Sequence, residues 1–172
     1  MWNIRTRTLI YTFESHAPYV GFLGTDQTND DDEDDDRDHR APQQVVAAGV
    51  TAIEQSPAPD VVAIGFTNGF ISIVNVKYDK QLFRFKAEAG GRVRSLSFRT
   101  DAASEQTPYL ASGHDDGRIF IWHLLHRRLQ FCMEDAHSAA IGTVKFMEGE
   151  PILLTNSADN SIKCWIFDAP DG

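Results

Sequence analysis

Cysteine is scarce. Cys132 and Cys164 are the only two in 172 residues, too few and too isolated for a disulfide framework or a zinc site. Each falls in a strand-like run, where a thiol serves as a small hydrophobe, and the scarcity suits a reducing compartment. Long apolar runs are missing too, none nearing the ~20 residues of a membrane span. The opening stretch MWNIRTRTLIYTF mixes basic, polar and aromatic residues and lacks the continuous apolar segment of a secretory signal, so secretion is not expected. No stretch shows the 3.6-residue periodicity of an amphipathic helix. A general charge excess is also lacking outside one tract. The formal charge is −9, but residues 26–38 hold nine carboxylates against Arg37, and the remainder carries 16 acidic and 15 basic residues. With the folded part near neutral, no global field recommends nucleic acid or a membrane surface as partner.

What is present divides into three kinds of segment. Residues 1–14 read as two short strands, MWNI and TLIYTF, the first resembling the end of a further repeat. Residues 15–49 carry the acidic tract between Gly21, Gly24 and Pro42. Repelling carboxylates with few apolar neighbours cannot offset chain-ordering entropy, so this insert is expected to be disordered. From Val50 onward the chain repeats itself. VVAIGFTNGFISIVN at 61–75, YLASGHDDGRIFIWH at 109–123 and ILLTNSADNSIKCWI at 152–166 align, each an apolar strand, an Asn/Asp turn and an alternating strand.

The distance from Gly69 to Gly117 is 48 residues, while Gly117 to Asn160 and Trp122 to Trp165 are both 43. That period belongs to four-stranded propeller repeats of ~40–45 residues, and the longer spacing follows from RTDAASEQTP standing where the next repeat has MEGEP. Further strands are expected at 50–55, 93–98 and 141–146 before each hairpin, and at 81–86 and 128–133 after it. The fold class is therefore all-β: about three consecutive four-stranded blades over residues 50–172, the last without its outer strand, in an incomplete ring. About three blades cannot close a ring, so exposed edges are expected to make this segment marginally stable or self-associating on its own.

The last repeat resembles the WD-repeat family, whose blades bury a hydrogen-bonded chain of His, Ser or Thr, Asp and Trp. That resemblance assigns the four places to His137, Thr155, Asp159 and Trp165. The chemistry is consistent: an indole only donates, a hydroxyl donates and accepts, and a carboxylate fixes the imidazole tautomer. The middle repeat supplies Ser112, Asp116 and Trp122 but has Ala89 where the histidine belongs. The first has Ile64, Asn68 and Val74.

Two other readings, a hydrolase triad and a metal site, compete with this one. His137, Thr155 and Asp159 imitate a hydrolase triad, yet a nucleophile needs an open pocket and an oxyanion hole, whereas these residues should be packed inside a blade. His114, Asp115, His123 and His126 imitate a metal site without any family ligand spacing. Neither is preferred, so no catalytic, metal or cofactor residue is assigned. Arg92, Arg94, Arg127 and Arg128 read as solubilising rim charges.

Longer phrases are more specific: WNIRT at 2–6, LIYTF at 9–13, PDVVAIG at 59–65, SLSFRTD at 95–101, DAHSAAI at 135–141, EPILLTNSADN at 150–160 and WIFD at 165–168. Together they resemble the U3 small-nucleolar-RNA-associated protein 21 family, also called WD-repeat-containing protein 36. The resemblance implies a nucleolar, non-catalytic subunit of the small-subunit processome. It would support pre-ribosomal RNA processing and 18S maturation through other processome proteins, reaching U3 RNA and the precursor indirectly, with no membrane or small-molecule substrate. Residues 15–49 depart from the family, which passes quickly between its flanking strands. The rival reading is a generic WD adaptor, such as the substrate receptor of a ubiquitin ligase.

Overall fold

Three turns of the same design set the hairpins of the fold. Gly69, Gly117 and Asn160 occupy equivalent places in the three repeats and adopt left-handed backbone, with φ of 81°, 87° and 64°. Glycine and asparagine tolerate that region best. Around these turns the computed structural model describes residues 2–3, 8–9, 48–105 and 107–167. The acidic tract and most of the expected insert lie outside them. Strands β1 (Trp2–Asn3) and β2 (Thr8–Leu9) pair antiparallel.

The first blade consists of β3 (Val50–Gln55), β4 (Val61–Phe66), β5 (Phe70–Asn75) and β6 (Lys80–Lys86), hydrogen-bonded in chain order. The second repeats the plan with β7 (Val93–Phe98), β8 (Tyr109–His114), β9 (Ile119–His123) and β10 (Arg128–Met133). The third shows β11 (Ile141–Phe146), β12 (Ile152–Ser157) and β13 (Ile162–Ile166). The molecule is all-β, an open array of antiparallel sheets, with a 3-10 turn at Ala102–Glu105 in the long loop of the middle blade. Gly49, placed in the insert by sequence, instead bonds to the first blade: its N–H donates to Thr67 Oγ1 at 3.0 Å and its carbonyl accepts from Thr67 N at 2.9 Å.

The core is two slabs between sheets. Ile71, Ile73 and Phe85 of the first blade meet Leu96, Leu110, Phe120 and Trp122 of the second. On the opposite face of the same middle sheet, Ala111, Ile119 and Ile121 meet Ile141, Val144 and Leu153 of the third. Strands β8 and β9 are consequently buried at every residue, on both faces. Burying each Ile or Leu contributes about 1.5–3 kcal/mol. Close approach requires Gly113, because a Cβ there would collide with the Ile141 side chain.

Inner strands β7 and β11 pack side by side, joined by side chains rather than a backbone ladder. Ser95 Oγ accepts from Val144 N at 3.1 Å and donates to Val144 O at 3.3 Å, and buried Ser97 accepts from Phe146 N at 2.9 Å. Two serines on one face of β7 thus satisfy backbone groups that a neighbouring strand would otherwise have satisfied.

Candidate functional site: polar chains inside the blades

In the last blade the alternation of β12 sets Leu153 and Thr155 on the face toward the middle blade, with Trp165 directly across from Leu153. The indole reaches two residue pairs along the ladder, to the next position on the same face, and its Nε1–H donates to Thr155 Oγ1 at 3.0 Å. Thr155 Oγ1 lies 2.8 Å from His137 Nε2. Because the Asp159 carboxylate at Nδ1 only accepts, Nδ1 carries the hydrogen, and Nε2 of the neutral imidazole accepts the Thr155 O–H, whose oxygen in turn accepts from the indole. The Nδ1 hydrogen is directed at Asp159 Oδ2, 2.9 Å away, with Ser161 Oγ 3.0 Å from the same ring nitrogen. The structure therefore brings His137, Thr155, Asp159 and Trp165 into one chain. Hydrogen bonds from the Ser161 hydroxyl, from His137 and from the Ser161 and Ser138 backbone hold the Asp159 carboxyl well below the usual carboxylate range, against a smaller opposing effect of burial.

The middle blade repeats part of this chain. Trp122 Nε1–H donates to Ser112 Oγ at 2.8 Å, and Ser112 Oγ lies 2.9 Å from a histidine Nε2. That histidine is His114, reaching from the end of β8 into the place left open at Ala89. Its Nδ1 lies 3.3 Å from the Gly91 carbonyl, the acceptor that takes the role of Asp159. His114 is fully buried, and burial pushes its pKa below the ordinary 6.5, outweighing the Gly91 bond and the nearby Asp116 and Asp115 charges. The alignment's choice of Asp116 is corrected here: Asp116 accepts from the backbone N–H of Arg118 at 3.0 Å and pairs with the Arg118 side chain at 3.4 Å. One sequence signal did mark His114. It stands two residues after Ser112, a spacing that puts both on one face of a strand. In the first blade Ile64 and Val74 replace the hydroxyl and indole with apolar packing, and buried Asn68 Nδ2 has no partner.

These contacts also locate the residues of the triad and metal-site readings. Thr155 Oγ1 is buried, and both its hydrogen and a lone pair are engaged by His137 and Trp165. His114 and His123 stand at opposite ends of the β8–β9 hairpin, since His123 pairs with Tyr109. Five strand steps separate them, about 16 Å. Asp115 pairs with Arg94 at 3.0 Å and Arg92 at 3.7 Å, while the His123 and His126 rings stack at 4.1 Å.

A feature missed by sequence reasoning lies within the phrase SLSFRTD. Arg99 and Asp101 form a buried ion pair at 2.6 Å, with the guanidinium 5.0 Å from the Phe167 ring centre. Flanking polarity suggested a loop, and nothing local marked these charges as buried.

Four-stranded sheets stacked by their inner strands, with a Trp–hydroxyl–His chain inside two consecutive blades, define a WD-repeat β-propeller. Solved structures share the fold: the structure of U3-55K has a TM-score of 0.61 at 20% identity, covering 74% of this chain and 37% of that one. The RRP9 WD40 repeats also give 0.61, at 21% identity and the same coverage. The family described as WDR36/Utp21 first beta-propeller matches residues 1–168, and the chain belongs to it. Human WD repeat-containing protein 36 is 36% identical over all of this chain, which spans 15% of that relative. The U3 small nucleolar RNA-associated protein 21 homolog of Schizosaccharomyces pombe is 42% identical over 76% of the chain, corresponding to 14% of its own length. U3 small nucleolar RNA-associated protein 21 of Saccharomyces cerevisiae is 31% identical over 69% of the chain and 12% of that protein.

Proposed function

We propose that this chain is a non-catalytic scaffold segment of the small-subunit processome. In this reading it is nucleolar and contributes to pre-ribosomal RNA processing and 18S maturation through contacts with other processome proteins, and to U3 RNA through them. The observation carrying the proposal is the family match across residues 1–168, with relatives whose names associate them with U3 small nucleolar RNA. The site chemistry supports the non-catalytic part. Every polar group of the most complete chain, from Trp165 to Asp159, is engaged by another group of the same blade. A blade buries its faces only against neighbours and leaves rims and loops for partners. By the same reading, β3–β6, β7–β10 and β11–β13 supply three consecutive blades.

Affinity purification of the tagged full-length protein from growing cells tests this. U3 RNA and processome subunits should co-purify. Recovery of a cullin complex without U3 RNA would favour the adaptor reading. A turnover activity lost in a folded His137→Ala protein would contradict the non-catalytic assignment.

A further inference from the structure

Hydrogen bonds define one end of the blades. The turn leaving the third strand of each blade is tied to the turn joining its first two. Val76 N–H donates to Asp60 O at 2.7 Å, Leu124 N–H to Pro108 O at 3.0 Å and Phe167 N–H to Pro151 O at 2.7 Å. In the first two blades the outer turns share one design. Asn75 Oδ1 accepts from the N–H groups of Lys77 and Tyr78 at 3.1 Å, and His123 Nδ1 accepts from His126 N–H at 3.4 Å. Asp79 and Arg127, equivalent in the two turns, both take left-handed backbone, with φ of 48° and 53°. The tips so fixed hold apolar side chains in solvent: Tyr78 is 71% and Leu125 66% exposed. Arg127 lies 5.1 Å from the Phe83 ring of the first blade, which makes the two turns neighbours. At the opposite end no turn exposes a large apolar side chain among the described residues. The arginines there are answered locally, Arg92 and Arg94 by Asp115 and Arg118 by Asp116.

Charge is sorted across the end that carries Tyr78 and Leu125. The outer turns and the first residues of the outer strands present exposed Lys77, Lys80, Arg127 and Arg128 against Asp79. The inner turns, at 56–60, 99–108 and 147–151, present exposed Asp60, Glu105, Glu148 and Glu150. Their one cation, Arg99, is buried against Asp101. Two strand spacings, about 10 Å, separate the zones. That is roughly one Debye length, so a single partner feels both. A phosphate chain following the cations would run beside a row of carboxylates, and the two zones nearly cancel in net charge. Exposed Tyr78 with Arg127 and Leu125 around it instead matches a protein interface, in which Tyr and Arg anchors carry much of the binding energy.

From this we infer that this end of the blades docks a partner protein whose own face has the opposite polarity. Its carboxylates lie over the outer turns, its basic side chains over the inner ones, and an apolar patch covers Tyr78 and Leu125.

The test uses the tagged full-length protein and the complex that purifies with it from growing cells. A carbodiimide joins an amine directly to a carboxylate. Mass spectrometry should find Lys77 or Lys80 joined to Asp or Glu, and Glu148 or Glu150 joined to Lys, of one and the same partner. The variant Y78S/L125S changes exposed side chains and should keep the parent's thermal transition. It should recover at least about tenfold less of that partner, as loss of two central interface side chains implies. Undiminished recovery would overturn the inference, as would the absence of such links or links from these residues to this chain alone. So would Tyr78 joined to RNA under ultraviolet light, which would make the face a nucleic-acid site. The inference does not depend on which assembly is recovered: U3 RNA co-purifying without these links would leave the proposed function standing and remove only this docking face.

Discussion

The middle and last blades build the same internal connection from opposite directions. In the last blade His137 belongs to the loop before β11 and reaches into the sheet, to Thr155 and Asp159. In the middle blade His114 belongs to the sheet and reaches out, to the Gly91 carbonyl in the loop before β7. Either way the loop entering an inner strand is fastened to the second strand of its blade, and the indole fixes the hydroxyl between them. What matters mechanically is the loop-to-strand fastening; the chain position that supplies the imidazole is interchangeable. The exchange does alter the electrostatics. His137 faces a carboxylate, whereas His114 faces a neutral carbonyl in a fully buried site and resists protonation.

The largest expected effect that sharpens this comparison is at the indoles. Trp122 is 2% exposed and stacked on Phe85, so Trp122→Ala should cost about 3–5 kcal/mol in urea unfolding. Trp165 is only partly buried, and Trp165→Ala should cost distinctly less. Equal losses would show that the two blades do not differ in packing as described. Next come the hydroxyls: Thr155→Val and Ser112→Ala should each cost about 1–3 kcal/mol, since each strands an indole N–H and an imidazole nitrogen inside a blade. A neutral Thr155→Val would mean the chain of the last blade carries no stability.

The pH dependence separates the blades. Because the folded pKa of His114 is lowered, the unfolded chain takes up the proton first, and stability falls as pH drops below about 6.5. Asp159 is shifted downward from 3.8, so its contribution is intact above that value and declines only as pH falls further toward the depressed folded value. Urea titrations at pH 7 and 5 should show a loss in the parent protein that His114→Gln reduces. An unchanged pH dependence in that variant would remove His114 from the account.

The smallest effect on folding is expected at the open face of the last blade. Ile162 and Ile166 are 79% and 77% exposed there, whereas the equivalent Ile119 and His123 are covered by the third sheet and its flanking residues. Ile166→Ser should change stability by no more than about 0.5 kcal/mol. It should, however, lower the concentration-dependent association of the 172-residue chain in sedimentation velocity. Strictly monomeric behaviour of the parent at all concentrations would contradict that expectation.

Much of this architecture was legible because strand alternation and turn chemistry are local. The runs at 50–55, 93–98, 128–133 and 141–146 coincide with observed strands. The fault was at His114, which sits beside an Asp-Asp-Gly turn and so reads as part of it; the ladder in fact runs through it, with its N–H donating to Arg118 O at 3.1 Å. Asp116 was chosen by analogy with Asp159, but a nearby guanidinium captured the carboxylate. Burial of β8 and β9 on both faces depends on the neighbouring sheets, and no pattern inside those strands announces it. The Arg99–Asp101 pair became legible only once Tyr109 and Phe167 closed over it.

The central claim is that both imidazoles, entering from opposite sides, accept a hydroxyl proton at Nε2 and donate from Nδ1. Nitrogen NMR of the protein labelled at histidine reads this directly. With the rings neutral, His114 and His137 should both carry hydrogen at Nδ1 and leave Nε2 bare. A protonated Nε2 on either ring would show that its Trp–hydroxyl–His chain is not made as described.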